Sequence, residues 1–466
     1  MDTATQDPMG VAAEEPLSLA GQIARYWSAV RYEDLPADVI ALSKRSLLDT
    51  IVVGRRGAEQ SEAQITAAGT LRFLPPSAGT STLWGMARKA TPALAARING
   101  TSSHALELDD FGGCGHSGAC VVPAVCALAD AVGADGKTVL RAVAAGYDVA
   151  ARVLEGAGGY RPHNDRGWHS TGTCGTFGAA AGASVVLGLD AEHMTWAFGI
   201  AGSLAGGTWA FLAEGATTKR FHPGMSAESG VDAACLAAAG MTGPRNILEA
   251  PYGGFFSLFS GPEAKPAETV AALGQNFRIA GTGIKIYACC RGLHSPIEAL
   301  LDIVVPRKVR SQDVAAIIIH GAPRTVRQFS KRQIDSVLDG QFSLPYSMAV
   351  AVLYGEATLA QFSPPQADNP EVRSLMDRVE VRGDRDLAPY EEPSVEVRLV
   401  SGKSIVNHVP ISKGNFARPV SAEELARKHQ TVGEPAMGEK LDTLRRMLGE
   451  LEQLDDFRQV SALLEA

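Results

Sequence analysis

The sequence lacks the short motifs that mark the common cofactor-binding and hydrolytic folds. It has no Walker A sequence, no GxGxxG after a predicted strand, no GxSxG elbow and no HExxH metal motif. Its seven cysteines form no CxxC pair and no three-cysteine set spaced for an iron–sulfur cluster. Organic cofactors and iron–sulfur clusters therefore have no recognisable site, and we predict that the chain uses no cofactor and no metal.

The sequence also lacks an excess of basic residues. It carries 51 acidic against 43 basic residues, a formal net charge of −8. This balance argues against a nucleic-acid partner or an anionic membrane, because both require a basic face. An odd number of cysteines without framework spacing predicts reduced thiols and a cytoplasmic protein.

Signal-peptide and membrane-span features are missing as well. The first 17 residues have no basic segment and no apolar core, so we predict a frayed tail rather than a signal peptide. Residues 195–213 are uncharged, but glycine, serine and threonine dilute their apolarity. Residues 167–189 have a similar character. Buried helices rich in small residues explain both stretches better than membrane spans.

What the chain does have is helical periodicity over its first 270 or so residues. Apolar positions recur at helical spacing in 37–54, 139–155 and 231–241. The pattern changes near residue 277, where a β-branched run at 316–320 is followed by apolar segments at 395–399 and 405–409. These two flank a Ser-Gly-Lys turn and predict a hairpin.

A helix start is predicted at Ser295–Pro296 and a capping box at Ser421–Glu424. Two final helices should pack back on the first part. We therefore predict a mainly α fold. A discontinuous, all-helical domain (18–276 and 410–466) would carry an inserted α+β lid domain (277–409).

The most suggestive local cluster spans residues 104–116, HALELDDFGGCGH. It combines the acids Glu107, Asp109 and Asp110 with Phe111, a glycine-rich turn and His116. The apolar helix after Pro123 would place this loop at a helix N-terminus, which favours anions. A loop whose acids only cap backbone N–H groups explains the pattern equally well. A metal site is the weaker alternative, since the ligand spacing is not fixed.

Three further segments concentrate polar chemistry. His169 lies among glycines and hydroxyls and could act as a general base, although a hydrogen-bonded core histidine is the commoner outcome. Lys219 follows an uncharged stretch together with a second cation, and could bind a carboxylate or belong to a solvated turn. Lys285, Arg291 and His294 fall within ten residues, just before the predicted helix start.

Taken in order along the chain, these segments resemble the MmgE/PrpD family, which includes 2-methylcitrate dehydratases, cis-aconitate decarboxylases and iminodisuccinate epimerase. The resemblance also includes Asn99-Gly100, Gly146-Tyr147-Asp148 and Gln341–Tyr346. It implies a helical domain with an α+β lid, a homodimer and an active site between the two domains. The family's site pattern falls on the following positions of this sequence: Asp109, Asp110, His116, His169, Lys219, Lys285 and His294.

Two positions depart from the lyase patterns of the family. Glu107 stands where the decarboxylase-like pattern has Asp, and Phe111 stands where both lyase patterns have Thr. Proton transfer next to a carboxylate needs a tuned base and fixed cations for the developing charge. We assign the catalytic group as His116, His169, Tyr147, Lys219 and Lys285. The assigned substrate-binding group is Glu107, Asp109, Asp110, Phe111, Arg291 and His294.

The altered pocket with a retained proton-transfer set favours a cofactor-independent epimerase of the iminodisuccinate type, acting on a small polycarboxylate. A 2-methylcitrate dehydratase-type hydro-lyase and a cis-aconitate-type decarboxylase are the enzymatic alternatives. A non-catalytic homologue that binds a polycarboxylate is the alternative from a different class.

Overall fold

The computed structural model describes residues 17–75, 79–362, 366–388 and 391–466. Helices dominate this part of the chain, which confirms the mainly α fold. The α-helices are α1 Leu19–Ala29, α2 Ala37–Gly57, α3 Ser61–Thr70, α4 Pro92–His104, α5 Ser117–Val132, α6 Gly136–Gly156, α7 Tyr160–Asp165, α8 Ser170–Val186, α9 Ala191–Leu204, α10 Phe211–Glu214, α11 Thr218–Ala238, α12 Phe255–Phe259, α13 His294–Val304, α14 Pro323–Phe329, α15 Val337–Gln341, α16 Leu344–Tyr354, α17 Leu359–Phe362, α18 Pro370–Asp377, α19 Ala422–Met437, α20 Lys440–Gly449 and α21 Arg458–Leu464. Short 3-10 turns cover Tyr32–Asp34, Gly261–Glu263, Pro266–Val270, Arg278–Gly281, Arg291–Leu293, Ser311–Asp313 and Leu451–Gln453.

Helix α8 lies at the centre of the helical part, in contact with α5, α6, α9 and α11. Its small residues allow this, because helix backbones meet without side chains between them. A Cβ on Gly178 would lie 2.6 Å from the carbonyl oxygen of Gly146, and one on Gly230 would lie 2.4 Å from the Cβ of Ala179. The glycine-rich stretch at 167–189 is thus largely a buried core helix, as predicted.

The strands are short in the first part of the chain and longer in the second. They are β1 Ser81–Thr82, β2 Lys89–Ala90, β3 Asp110–Phe111, β4 Gly283–Ile284, β5 Val314–His320, β6 Val379–Arg382, β7 Ser394–Leu399 and β8 Ser404–His408. The last four form one sheet in the order β6-β5-β7-β8, with β5 and β6 parallel and the other pairs antiparallel. The predicted hairpin is β7–β8, and Gly402 in its turn has φ +84°.

A two-stranded pairing joins the acidic loop of the helical part to the second part of the chain. Asp110 pairs with Ile284 and Phe111 with Gly283 in the antiparallel β3–β4 ladder. The backbone N–H of Ile284 also donates to the carbonyl of Gly414 at 2.8 Å. Segments from three distant regions of the sequence therefore meet at the acidic loop.

The C-terminal helices pack against the first part of the chain. Helices α19 and α20 contact α2, and α21 contacts α5. Lys428 and His429 of α19 pair with the buried Asp49 of α2 at 2.8 and 3.0 Å. Lys428 also donates to the carbonyl of Leu108 at 2.7 Å, so this helix supports the acidic loop. The exact division into a helical domain and an inserted lid stays a prediction.

Several local predictions need adjustment. Ser421 does cap α19 in a capping box with Glu424. However, α13 begins at His294 without a side-chain cap, so Ser295 is not its cap. Helix α5 begins at Ser117, which leaves Pro123 inside the helix rather than before it. Three helices, not two, end the chain.

Of the predicted tail at 1–17, residues 1–16 lie outside the described residues. Within the part of the chain that is described, none of the helices combines the length and the apolarity needed to cross a membrane. All seven cysteines are free thiols and five of them are buried.

Candidate active site

Four helices begin at one place in the fold. His116 precedes the first residue of α5, His169 precedes the first residue of α8, Lys219 lies in the first turn of α11 and His294 begins α13. The unpaired N–H groups and the dipole of a helix N-terminus favour negative charge. Four such termini together make this region suited to a polyanion.

Glu107 gathers the cations of the site on one carboxylate. Its Oε1 accepts from Lys219 and, at 2.5 Å, from Arg220, while its Oε2 accepts from Lys285 at 2.8 Å. All four side chains are essentially buried. Glu107 is also one of three non-glycine residues in the described chain with positive φ, at +51°. Its carboxylate therefore holds these three cations together, and its predicted contact with the substrate stays a prediction.

The protonation of Lys219 is set by opposing effects. Burial and the cations Arg220 and Lys285 lower the pKa of Lys219 well below its usual value. The touching Glu107 carboxylate favours the charged ammonium and opposes this shift. The Nζ of Lys219 also lies 2.8 Å from Nε2 of His104, which ties the cation set to the histidines of the site.

Asp109 bridges two imidazoles. Its Oδ2 lies 2.9 Å from Nδ1 of His104 and 3.1 Å from Nδ1 of His116, and its Oδ1 lies 3.5 Å from Nζ of Lys285. These neighbours hold the pKa of Asp109 well below its usual value although burial acts against them. Asp109 is therefore ionised. His116, the member of this group with the more exposed side chain, is oriented by this carboxylate together with the backbone carbonyl of Asp110, whose oxygen lies 2.9 Å from its Nδ1.

Asp110 points away from this cluster and into the helical core. It accepts from the backbone N–H of Gly118 and, at 2.7 Å, from the hydroxyl of Tyr147. Burial, with Asp109 next to it, raises the pKa of Asp110 to about 6. A Cβ on Gly118 would lie 2.6 Å from the Tyr147 hydroxyl, so only glycine permits the arrangement. Tyr147 is fully buried and its predicted catalytic role stays a prediction.

His169 lies beside His116, with ring centroids 6.4 Å apart, and forms a close pair with His222. The two Nδ1 atoms of His169 and His222 are 2.9 Å apart. Burial and the neighbouring His222 lower the pKa of His169 well below its usual value. Burial and Lys219 lower the pKa of His222 to about 4. Both imidazoles are therefore neutral near pH 7.

Arg291, Phe111 and His294 lie together in the neighbourhood of Lys285. The guanidinium of Arg291 stacks 4.9 Å from the ring centre of Phe111 and lies 3.2 Å from the carboxylate of Glu392. His294 is completely buried, and neither ring nitrogen has a hydrogen-bond partner in the described part of the chain. Burial and the cations Arg291 and Lys285 lower the pKa of His294 well below its usual value. A buried imidazole without partners is suited to receive a ligand.

His104, Asp109 and His116 also offer three ligand atoms within 4.8 Å of one another, a spacing that a metal ion could use. The surrounding charges oppose a cation here. Nζ of Lys219 lies 2.8 Å from His104 and Nζ of Lys285 lies 3.5 Å from Asp109. The three side chains fit a hydrogen-bonded relay better than a set of metal ligands.

The structure thus brings the predicted residues of all four segments together. It adds three that we did not assign from the sequence, namely His104, Arg220 and His222. Arg220 also hydrogen-bonds to the Gln341 side chain. All three lie in the polar segments described from the sequence, and the assigned residues beside them were the available indication of a functional role. The predicted residue roles stay predictions.

Two family models together match most of the chain. Residues 21–267 match the MmgE/PrpD N-terminal domain and residues 287–452 match the MmgE/PrpD C-terminal domain. The chain is 29% identical to the cis-aconitate decarboxylase of Aspergillus terreus, over 96% of this chain and 95% of that one. It is 27% identical to the cis-aconitate decarboxylase-like protein oryM of Aspergillus oryzae, over 96% and 97%. It is 28% identical to the human cis-aconitate decarboxylase, over 92% and 90%.

Proposed function

The chain belongs to the MmgE/PrpD family, and from that premise we propose that it is a lyase that decarboxylates a small tricarboxylate of the cis-aconitate type. The observation that carries the proposal is the set of three buried cations, Lys219, Arg220 and Lys285, gathered where four helices begin. Relatives that match nearly the whole chain are named for this reaction.

The chemistry explains why such a site is needed. Decarboxylation breaks the bond between carbon and one carboxylate, and CO2 leaves. The electron pair stays on the substrate and is captured by a proton, so a trianion and one proton become a dianion and CO2. Fixed cations stabilise the charge that develops on the remaining carboxylates, and a positioned acid supplies the proton.

The residues fall into two groups for these tasks. Lys219 and Lys285 hold the substrate carboxylates, with Glu107 fixing the two ammonium groups in place. His169 delivers the proton, because it is buried next to His116 and His222 and its neutral ring carries one N–H that it can give up. His116, oriented by Asp109, is the second acid–base group. His294 and Arg291 bind the far end of the substrate.

The epimerase activity favoured from the sequence is not supported by the names of the relatives, and epimerisation becomes an alternative outcome of the test. The three reactions differ in their products. A decarboxylase releases CO2 and consumes a proton, a hydro-lyase removes water, and an epimerase inverts a centre with no net change. Only the first leaves one solvent-derived proton in a product that is one carbon shorter.

The experiment offers cis-aconitate, 2-methylcitrate and iminodisuccinate separately to the purified protein. Products are followed by NMR and CO2 is measured. We expect CO2 from cis-aconitate alone. Water loss from 2-methylcitrate, or inversion of iminodisuccinate, would replace the proposal with the corresponding activity. Ligand-induced stabilisation without any conversion would support the non-catalytic alternative.

Variants tie the activity to the site. Lys219→Met and Lys285→Met should each lower kcat/KM by about 10²-fold or more, since each removes a charge that stabilises the transition state. Lys137→Met is the matched control, because this exposed lysine pairs with Glu33 on the surface. The expected homodimer and cytoplasmic location stay predictions, and light scattering after size exclusion tests the first.

A further inference from the structure

We propose that His222 is the positioning residue of the acid His169, and that the two imidazoles share one hydrogen between their Nδ1 atoms. When this hydrogen moves from His222 to His169, Nε2 of His169 changes from a proton donor to a proton acceptor. The inference rests on the proposed proton delivery by His169. It assigns a role to a residue that the site pattern of the family resemblance does not include.

The distance between the two imidazoles requires that they share a hydrogen between their Nδ1 atoms. The two Nδ1 atoms are 2.9 Å apart, a hydrogen-bond distance, so one must carry a hydrogen and the other must accept it. The charged or titratable groups near the pair are His104, Asp109, His116 and Lys219. Only one of these is an acid, and both imidazoles stay neutral near pH 7. The pair therefore has two states, which differ in the ring that carries the Nδ1 hydrogen.

The chain holds this pair firmly. The backbone N–H of His169 donates to the carbonyl of Gly207 at 3.1 Å, and the N–H of Trp209 donates to the carbonyl of Gly167. Gly207 has φ +122°, and a Cβ there would lie 3.4 Å from Nδ1 of His222. The ring of Trp209 lies 5.2 Å from that of His169, edge-on. The imidazoles thus lie against backbone on one side and an aromatic ring on another.

His222 lies closer to the protein surface than His169 does. His169 is 2% exposed, whereas His222 is 8% exposed and lies under the half-exposed loop that contains Gly207. Among the described residues, the structure shows no hydrogen bond to Nε2 of either ring. The Nε2 of His169 is thus available to the substrate, and the Nε2 of His222 is the more accessible route to solvent.

The proton transfer balances. At the start, the Nδ1–H of His222 donates a hydrogen bond to Nδ1 of His169, and His169 carries its own hydrogen on Nε2. Nε2 of His169 gives that hydrogen to the carbon from which CO2 leaves. The Nδ1 hydrogen moves to His169, and solvent protonates Nε2 of His222. After the product leaves, solvent reprotonates Nε2 of His169, the shared hydrogen returns to His222, and Nε2 of His222 releases its proton.

The test replaces His222 by asparagine, whose amide can pair with Nδ1 of His169 but cannot pass a proton on. We expect His222→Asn to keep KM within about threefold and to lower kcat by roughly 10- to 100-fold, with a larger solvent deuterium isotope effect on kcat. Added imidazole should partly restore the kcat of His222→Ala. His193→Asn, at a half-exposed histidine outside the site, is the matched control.

A second measurement does not need activity. In protein labelled with ¹⁵N-histidine, NMR at pH 7 should show one protonated Nδ1, that of His222, and one bare Nδ1, that of His169, both in neutral rings. His222→Asn should remove the protonated Nδ1 signal and perturb the bare one. Wild-type kcat and isotope effect in His222→Asn, or an imidazolium at either position at pH 7, would overturn the inference. If the wild type releases no CO2, the proposed function fails, while the NMR experiment still decides whether the pair exists.

Discussion

Glu107 offers the sharpest test of how the site is held together. Glu107→Gln keeps the shape of the side chain and removes the charge that Lys219, Arg220 and Lys285 share. The variant leaves Asp109 as the remaining buried carboxylate in contact with this cation set. Removing one partner of a buried ion pair typically costs about 3–5 kcal/mol, because the other charge stays buried and unpaired.

A loss of that size should lower the apparent melting temperature by roughly 3–5 °C, at about 1 °C per kcal/mol for a chain of 466 residues. Thermal unfolding at pH 7 and one scan rate measures it. The matched control is Glu155→Gln, which breaks the ion pair with Arg278. Its carboxylate is 39% exposed, so we expect a loss below about 1 kcal/mol.

Anions supply a second readout. Glu107→Ala leaves a cavity lined by three cations, and acetate should raise its melting temperature more than that of the wild type. If Glu107→Gln unfolds within about 1 kcal/mol of the wild type and acetate has no selective effect, the reasoning about this cluster is wrong.

Three further predictions concern stability. The raised pKa of Asp110, about 6, means that its stabilising protonation is complete below pH 4 and is lost as the pH rises through 6. Denaturant unfolding should show wild type losing about 3 kcal/mol relative to Asp110→Asn between pH 4 and 7, and parallel curves would contradict this. Asp49→Asn and Lys428→Met should each cost about 3–5 kcal/mol by the same assay, and a double variant no worse than either single one would show their coupling. Gly178→Val would press on the backbone of Gly146 and should cost about 1–3 kcal/mol or more, so an unchanged melting temperature would refute the close packing.

Local features could be predicted from the sequence where the cause is itself local. The β7–β8 hairpin follows from alternation around Gly402, and the start of α19 follows from the capping box of Ser421 and Glu424. The start of α13 was predicted wrongly at Ser295. There, the preceding 3-10 turn leads directly into the helix, so no side-chain cap is needed.

The family resemblance predicts that distant segments share one site, but the individual contacts between them could not be predicted. Glu107 meets cations 112 to 178 residues away, and only the packing of α11 and β4 against the acidic loop brings them together. His222 was visible as a polar residue next to Lys219, but its pairing with His169 depends on the loop at Gly207. Periodicity and motifs carry no information on such contacts.

The central claim is that this site releases CO2 and adds one proton from solvent. The most direct measurement is an incubation with cis-aconitate in D2O in which released CO2 and deuterium in the product are counted together. We predict one deuterium atom for each CO2, with both lost in Lys219→Met. Product formed without CO2, or CO2 released at an undiminished rate by the folded Lys219→Met variant, would contradict the account.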